Sequence, residues 1–515
     1  MSLGQKTLEK FYEICSNRGA DEERLVIFLK EYADGKWWLI EEDTVWNLAI
    51  HVPSIKRNHQ KPVIIQAHLD MVQDSTIKTS EGNEGYDYSQ GIIPEVSADR
   101  QWIHSKWKKT TLWADCGIGI SMALESTEIE DRPPLIILLT RDEEGDMTGA
   151  AKIDPVKLKL LDADYMINAD NNFSDQICIG SGGWLSMKME WKYSTQQPTF
   201  PQYEIHFENL LGGHSGEDID KGRINIIQEW FWFLKFLENE WLEGDEENVI
   251  RKKTGTYELV SFSSGKAENA IPGSCTIRLW ISDENEFNRL LTQYLFVLKL
   301  KYPMEDTITY RVEQKKSMIP VMLRSQQSSI IKTLSPKLLG QISRDEQYNL
   351  PRLSNNVWVC QIWWKEIQFS FYGRADDQSL LQEIWSYLYD DFSQVGLELK
   401  KMNQIAPWKP IFDSVFLDIA KVVHAKVTWI LPKIVKMHSS LECGILKTEI
   451  EKASKKALQI ICVGPDIINE HSPNESLNIQ SVDLCMTFIL RFLEVIWDSE
   501  KENAERQKSQ NILFA

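Results

Sequence analysis

Four apolar runs of strand length, KPVIIQAH, PPLIILLT, DYMINAD and ALQIICVGPD, are separated by segments with helical periodicity. Runs this apolar suit strands covered on both faces, and such strands belong to sheets with helices on either side. The alternation therefore predicts an α/β layer with a largely buried sheet. TVWNLAIHV reads as another strand and GIGISMALEST as a helix of that layer. From about residue 184 to 402 the texture changes. QYEIHFENL and EIQFSFYGR alternate apolar and polar residues as half-solvated strands do, and GRINIIQEWFWFLKFLENEW is a long helix with a wide apolar stripe. After PWKP the apolar-strand texture returns in KVTWILPKI and ALQIICVGPD, and SVDLCMTFILRFLEVIWDSE closes as a helix with a charged tail expected to fray. The expected organisation is an α/β domain in two parts, 1–183 and 403–515, with a smaller α+β domain inserted at 184–402.

Bulk properties narrow the partners. At 515 residues and 43% hydrophobic the chain can bury more than one core. Lys plus Arg total 57 against 75 Asp plus Glu, a formal charge of -18 that repels phosphate backbones, so nucleic acid is not an expected partner. No apolar run approaches membrane-spanning length, so no membrane partner is expected either. The eight cysteines (15, 116, 178, 275, 360, 443, 462, 485) are scattered without C-x-x-C spacing, which reads as a reduced chain of the cytoplasm. The 19 tryptophans are many for this length, and no functional reading accounts for the excess.

The apolar runs end in chemistry. KPVIIQAH stops at His68 and places Asp70 two residues on, where alternate side chains share a face and a carboxylate can orient the imidazole. PPLIILLT runs into Glu143 and Glu144. The other Glu-Glu pairs, at 22–23, 41–42 and 246–247, look like solvated faces, whereas this one follows a buried strand. DYMINAD ends at Asp170. Asp115, in TTLWADCGIGIS, precedes a glycine-punctuated helix start, the place of an N-cap as well as of a ligand. His471 lies in a loop after IICVGPD. Two histidines and three carboxylates, His68, Asp115, Glu144, Asp170 and His471, at the ends of expected strands and helices match a site for two borderline metal ions such as zinc.

The ordered set QAHLDMV, TTLWADCGIG, DEEGDMTGA, INAD, LLGGHSG, NAIP and HSSLECG with GPDIINEHSP resembles, over nearly the whole chain, the aminoacyl-histidine dipeptidases. These are Xaa-His, carnosinase-like members of the cocatalytic di-zinc aminoacylase and carboxypeptidase clan. The resemblance implies a zinc-peptidase-like α/β/α catalytic domain with an inserted α+β lid and dimerisation domain, and hydrolysis of Xaa-His-type dipeptides through a di-metal-bound water. It puts the metal ligands at His68, Asp115, Glu144, Asp170 and His471, with Asp115 bridging. Asp70 falls on the carboxylate that clamps the first histidine, Glu143 on the general base and His214 on the oxyanion donor. Arg374 falls on the position that reads the substrate carboxylate, with Asn269 and His438 as further substrate contacts and Gly444 as a place of close backbone approach. Two divalent ions per chain are implied, zinc with manganese or cobalt as alternatives. A dipeptide substrate and a homodimer formed through the lid are implied too. The long apolar helix at INIIQEWFWFLKFL is the expected interface.

Some positions depart from the family. Trp113 stands where it usually has glycine and Cys116 where it has asparagine, and SNRGADEER replaces a proline-containing loop. Trp113 is expected to narrow the pocket beside Asp115, and Cys116 to remove an amide that braced the turn. The peptide after Asp115 is typically cis in the family. Two other functions fit the same motifs: another amide-bond hydrolase of the clan, an aminoacylase or carboxypeptidase, and a catalytically silent binding or assembly protein.

Overall fold

The computed structural model describes residues 2–19, 21–57, 60–74, 86–238, 241–243, 250–252, 257–265, 269–305, 307–316, 319–334 and 339–513. They form two compact units. The first comprises Met1–Gly180, Trp408–Lys436 and Leu441–Ala515, and the second Ser181–Pro407 with Met437–Ser440.

The first unit is built on a sheet ordered Leu39–Glu42, Leu48–Val52, Leu135–Thr140, Val63–His68, Tyr165–Asn168, Gln459–Cys462, Gln176–Ser181 and Lys433–Met437. Val63–His68 pairs in parallel with Leu135–Thr140 on one side and Tyr165–Asn168 on the other, and Gln459–Cys462 continues the parallel set. Every residue of Val63–His68 and Leu135–Thr140 is buried, as strands sandwiched between helices must be. Phe11 and Ile14 of the Leu3–Asn17 helix, Ile118 and Ile120 of Ala114–Ser126, and Phe488 and Phe492 of Ile479–Leu513 complete this core.

Two sequence expectations fail here for local reasons. TVWNLAIHV is a strand only from Leu48, because the Asp43 carboxylate accepts the Val45 and Asn47 N–H groups, each at 3.0 Å, and closes a turn. The first half of KVTWILPKI ends the Val415–Thr428 helix, whose Ser414 cap accepts the Leu417 N–H, and only Lys433–Met437 is strand. The helical start outweighs the β propensity of Val, Thr and Trp. The charged tail continues the last helix to Leu513.

The second unit is an antiparallel sheet ordered Thr309–Lys315, Gln202–Glu208, Cys275–Ile281, Tyr257–Ser264, Leu350–Trp363, Glu366–Ala375, Gly183–Lys192 and Glu398–Ile405, with Gly340–Asp345 paired beside Leu350–Trp363. The Ile226–Glu238 helix lies on it through Phe231, whose ring is 5.5 Å from Phe262 and 6.0 Å from Phe369. Its other flank is covered too: Phe233 packs on Phe287 and Tyr294 of the Glu284–Lys301 helix at 5.8 and 5.0 Å. The apolar stripe expected to be an intersubunit face is thus consumed inside its own unit. Exposed apolar side chains appear instead on the Glu284–Lys301 helix, at Phe296 (65%), Val297 (53%) and Leu300 (68%).

Among the described residues no helix is long and apolar enough to cross a membrane. All eight cysteines are buried, and none forms a disulfide.

Candidate metal centre

Parallel strands bring their carboxyl ends to one edge of a sheet, where open α/β sheets hold ligands. His68 ends the Val63–His68 strand, Glu143 and Glu144 follow Leu135–Thr140, and Asp170 follows Tyr165–Asn168. Asp115 enters from the first turn of the Ala114–Ser126 helix, and His471 from the loop joining Ile467–Ile468 to Ser476–Asn478. The Asp115 carboxylate faces both imidazoles. Its Oδ1 is 3.0 Å from His68 Nε2 and its Oδ2 is 3.4 Å from His471 Nε2. Asp170 Oδ1 completes the first group, 3.4 Å from His68 Nε2, and Glu144 Oε1 the second, 3.0 Å from His471 Nε2.

This much acid beside two imidazoles is electrostatically costly without cations. Burial, reinforced by the Asp115 charge, pushes Asp170 up to about 7, and burial with the Asp170 and Glu144 charges pushes Glu143 well above the usual carboxylate range. Burial alone would discharge His471, yet its hydrogen bonds to Asp115 and Glu144 raise it to about 11. The bare cluster therefore balances its charge with protons. Divalent cations would replace those protons, and the mixed imidazole and carboxylate set, with one carboxylate facing two groups, fits two borderline ions. Cys116 Sγ also falls within 4.8 Å of ligand atoms of His68 and Asp170, but burial pushes its thiol far up and it donates to the Ala169 carbonyl at 3.3 Å.

Braces surround the cluster. Asp70 Oδ1 lies 3.5 Å from His68 Nδ1, while the Asp70 backbone carbonyl is nearer, at 3.1 Å. The two Asp70 carboxylate oxygens accept the Glu143 and Glu144 N–H groups, each at 3.0 Å. Trp113 does not wall the pocket. It is 1% exposed, and its Nε1–H donates to the Asp70 carbonyl at 3.0 Å from behind. The Asp115–Cys116 peptide is cis.

Two buried glutamates escaped the sequence reading. Glu475 accepts four consecutive N–H groups, from Leu112, Trp113, Ala114 and Asp115, at 2.8, 2.9, 2.8 and 3.1 Å, and so holds the turn that presents Asp115. Glu442 accepts from Gln66 Nε2 at 2.9 Å and Thr140 Oγ1 at 2.5 Å, beneath the strand ends, and burial pushes it up to about 8. Glu475 lies four residues past His471, a proximity that was the only available signal. Nothing local distinguishes Glu442 in HSSLECG from a solvated helix start.

In the second unit the remaining sequence candidates gather in one cluster. Arg374, 3% exposed, sets Nη2 at 3.3 Å from His214 Nε2, Nε at 3.4 Å from Ser215 Oγ and Nη1 at 3.5 Å from Ser440 Oγ. The Ser215 N–H donates to the Asn269 carbonyl at 2.7 Å. His438 Nε2 lies 2.7 Å from the hydroxyl of Ser354, the residue paired across the strands with Arg374. Among the described residues no carboxylate ion-pairs directly with Arg374, although the Glu217 charge reaches it, and its guanidinium sits 4.7 Å over the Tyr372 ring. Gly216 fits beside it because a Cβ there would come within 3.1 Å of both the guanidinium carbon and His214. Glu204, His206 and Glu313 also approach one another in this unit, but Arg278 and Lys315 already neutralise Glu204, each at 2.9 Å.

No family model matches the chain. Across 94% of its length it is 26% identical to the cytosol non-specific dipeptidase of Escherichia coli (strain K12), covering 96% of that protein. In fold it is similar to the aminoacylhistidine dipeptidase of Vibrio alginolyticus, with TM-score 0.76 and 25% identity over 95% of this chain and 96% of that one. A tripeptidase from Staphylococcus aureus shares the fold at TM-score 0.52 and 14% identity, over 96% and 99% of the two chains.

Proposed function

We infer that this chain, a member of the dipeptidase group of metal-dependent peptidases by its likeness in sequence and fold to the two dipeptidases above, hydrolyses dipeptides, with Xaa-His dipeptides as the preferred class. The observation that carries the reading is Asp115 facing both His68 and His471, at 3.0 and 3.4 Å. His68, Asp115 and Asp170 would hold one divalent ion and His471, Asp115 and Glu144 the other, with zinc the preferred metal and manganese or cobalt as alternatives. Such a pair, when bound, polarises the scissile carbonyl and acidifies a water.

The chain's own residues do the rest. Asp70 fixes the His68 ring and, through their N–H groups, the backbone from which Glu143 and Glu144 leave. Glu143 takes the proton of the attacking water and returns it to the departing amine. His214 donates to the developing oxyanion. Arg374, a buried guanidinium, binds the free carboxylate of the dipeptide, while Asn269 and His438 contact the substrate.

The protein works in the cytoplasm, and it dimerises through the second unit. Support for the dimer is the exposed row Phe296, Val297 and Leu300 beside the edge strand Thr309–Lys315.

The test is a dipeptide panel run with metal-stripped protein and with zinc-, manganese- and cobalt-reconstituted protein. Turnover returning with about two ions per chain is expected, fastest where the second residue is histidine. Reconstituted protein that cleaves no dipeptide overturns the reading. Glu143→Gln keeps its metal and loses roughly 10²–10⁴-fold in turnover, since the shape stays and the base goes.

A further inference from the structure

Among the described residues eighteen non-glycine residues have positive φ, and six of them are tryptophan: Trp37, Trp46, Trp107, Trp113, Trp364 and Trp429, with φ between 50° and 69°. Tryptophan supplies only 19 of the 515 residues. The left-handed region crowds any Cβ against the following carbonyl, and the non-glycine residues that visit it routinely are the short polar Asn and Asp. A bulky indole is out of place there.

The turns themselves ask for glycine. After the Glu23–Asp34 helix, the Trp37 N–H donates to the Asp34 carbonyl at 3.0 Å and the Trp38 N–H to the Ala33 carbonyl at 3.1 Å. That bond pair defines a helix C-cap whose left-handed residue is usually glycine. Trp429 closes the Val415–Thr428 helix with its N–H on the Ala425 carbonyl at 2.9 Å, the single-bond form of the same cap. Trp46 follows the Asp43 turn in the hairpin between Leu39–Glu42 and Leu48–Val52, its N–H donating to the Asp43 carbonyl at 3.3 Å. Trp364 and Lys365, at φ 50° and 70°, form the two-residue turn between Leu350–Trp363 and Glu366–Ala375, a turn filled by Asn-Gly or Gly-Gly.

Trp113 apart, these indoles gain little from packing beyond Lys106 and Lys109 over the Trp107 ring at 4.5 and 4.3 Å and Trp363 edge-on to Trp364 at 5.9 Å. Trp37, Trp46, Trp107, Trp364 and Trp429 are 94%, 62%, 65%, 78% and 89% exposed. Other tryptophans behave as tryptophans do: Trp184, Trp230, Trp280 and Trp408 are buried and have no positive φ.

We propose that these six positions are glycine in the functional protein. The codon that yields tryptophan at them is one the source cell decodes as glycine, while the tryptophans outside left-handed turns, Trp184, Trp230, Trp280 and Trp408 among them, come from a different codon and stay tryptophan. This accounts for the excess of tryptophan and for its concentration in left-handed turns. Trp113 is the position with a consequence at the metal centre, and for it alone the argument rests on the dipeptidase reading. Its indole fills the space behind Asp70, under the Arg18 guanidinium 5.2 Å away. Glycine removes that filling and restores the residue found in the resembling family.

Peptide mass spectrometry of the protein isolated from its own cells reads the answer. Glycine at the six positions with tryptophan at Trp184, Trp230, Trp280 and Trp408 is expected, and tryptophan at the six overturns the proposal. The full chain gives an independent test. Trp37→Gly, Trp46→Gly, Trp107→Gly, Trp364→Gly and Trp429→Gly together raise the melting temperature by several degrees, because relief of the left-handed strain exceeds the entropy glycine adds to the unfolded chain. Alanine at the same five positions removes the indoles but keeps each Cβ, and gains less. An equal gain from alanine, or a loss with glycine, overturns the turn argument. Trp113→Gly, made separately, folds and binds zinc at least as tightly as the parent chain; loss of zinc binding overturns the assignment at that position without touching the other five or the dipeptidase reading.

Discussion

Asp70 Oδ1 stands 3.5 Å from His68 Nδ1 while accepting the Glu143 N–H at 3.0 Å, so one carboxylate sets both an imidazole and the backbone of a glutamate. Asp70→Ala removes that carboxylate from both, leaving His68 Nδ1 only the backbone carbonyl at 3.1 Å. Zinc affinity and turnover each fall by roughly 10–100-fold, the usual effect of losing an outer partner of a metal-bound histidine. Competition against a chelator measures the first; an affinity equal to that of the parent chain contradicts the bracing role.

His214 Nε2 lies 3.3 Å from Arg374 Nη2 and is not among the proposed ligands. His214→Ala lowers turnover by roughly 10²–10³-fold, as removal of one oxyanion donor does, and leaves bound zinc unchanged. Elemental analysis beside steady-state kinetics separates the two effects. A variant that loses metal in proportion to activity refutes the assignment.

Glu442 gives the metal-stripped protein a pH dependence whose sign is fixed by burial. Its folded pKa is pushed up to about 8 from an ordinary 4.5, so the folded state binds a proton that the unfolded state releases. The associated stability is present below the ordinary value and is lost as pH rises through about 8. Denaturant midpoints measured between these limits fall with pH in the parent chain, and the fall is shallower in Glu442→Gln. Parallel slopes in the two proteins contradict the shift.

Phe296 and Leu300 are four residues apart on one helix, and both are largely exposed. Phe296→Glu with Leu300→Glu converts a dimer to a monomer at micromolar concentration with little change in melting temperature, since exposed substitutions cost within about 0.5 kcal/mol. Sedimentation velocity decides it. A parent chain that is monomeric, or a variant that still dimerises, removes this face from the assembly.

Features with a short-range signature were legible in the sequence. The strand Val63–His68 and its terminal histidine could be read because apolar runs buried on both faces are continuous and their ends are abrupt. The α/β character of the first unit followed from the same runs. Glu475 was not legible, because its role depends on four N–H groups from 361 or so positions earlier in the chain. Trp429 misled for the opposite reason: its local β propensity suggested a strand where the chain ends a helix. The apolar stripe of Ile226–Glu238 was visible, but the partner that covers it, Glu284–Lys301, packs on it from a separate stretch of the chain.

The reach of Glu475 also orders events in time. It braces Asp115 across 360 positions, and the whole Ser181–Pro407 stretch is synthesised between them. At ribosomal speed the interval from Asp170 to Glu475 lasts on the order of tens of seconds. Throughout it the chain lacks both His471 and Glu475. Residues 469–475 then deliver His471 and Glu475 together. A chain arrested before that loop lacks both the second imidazole and the brace on Asp115, and so has no paired site.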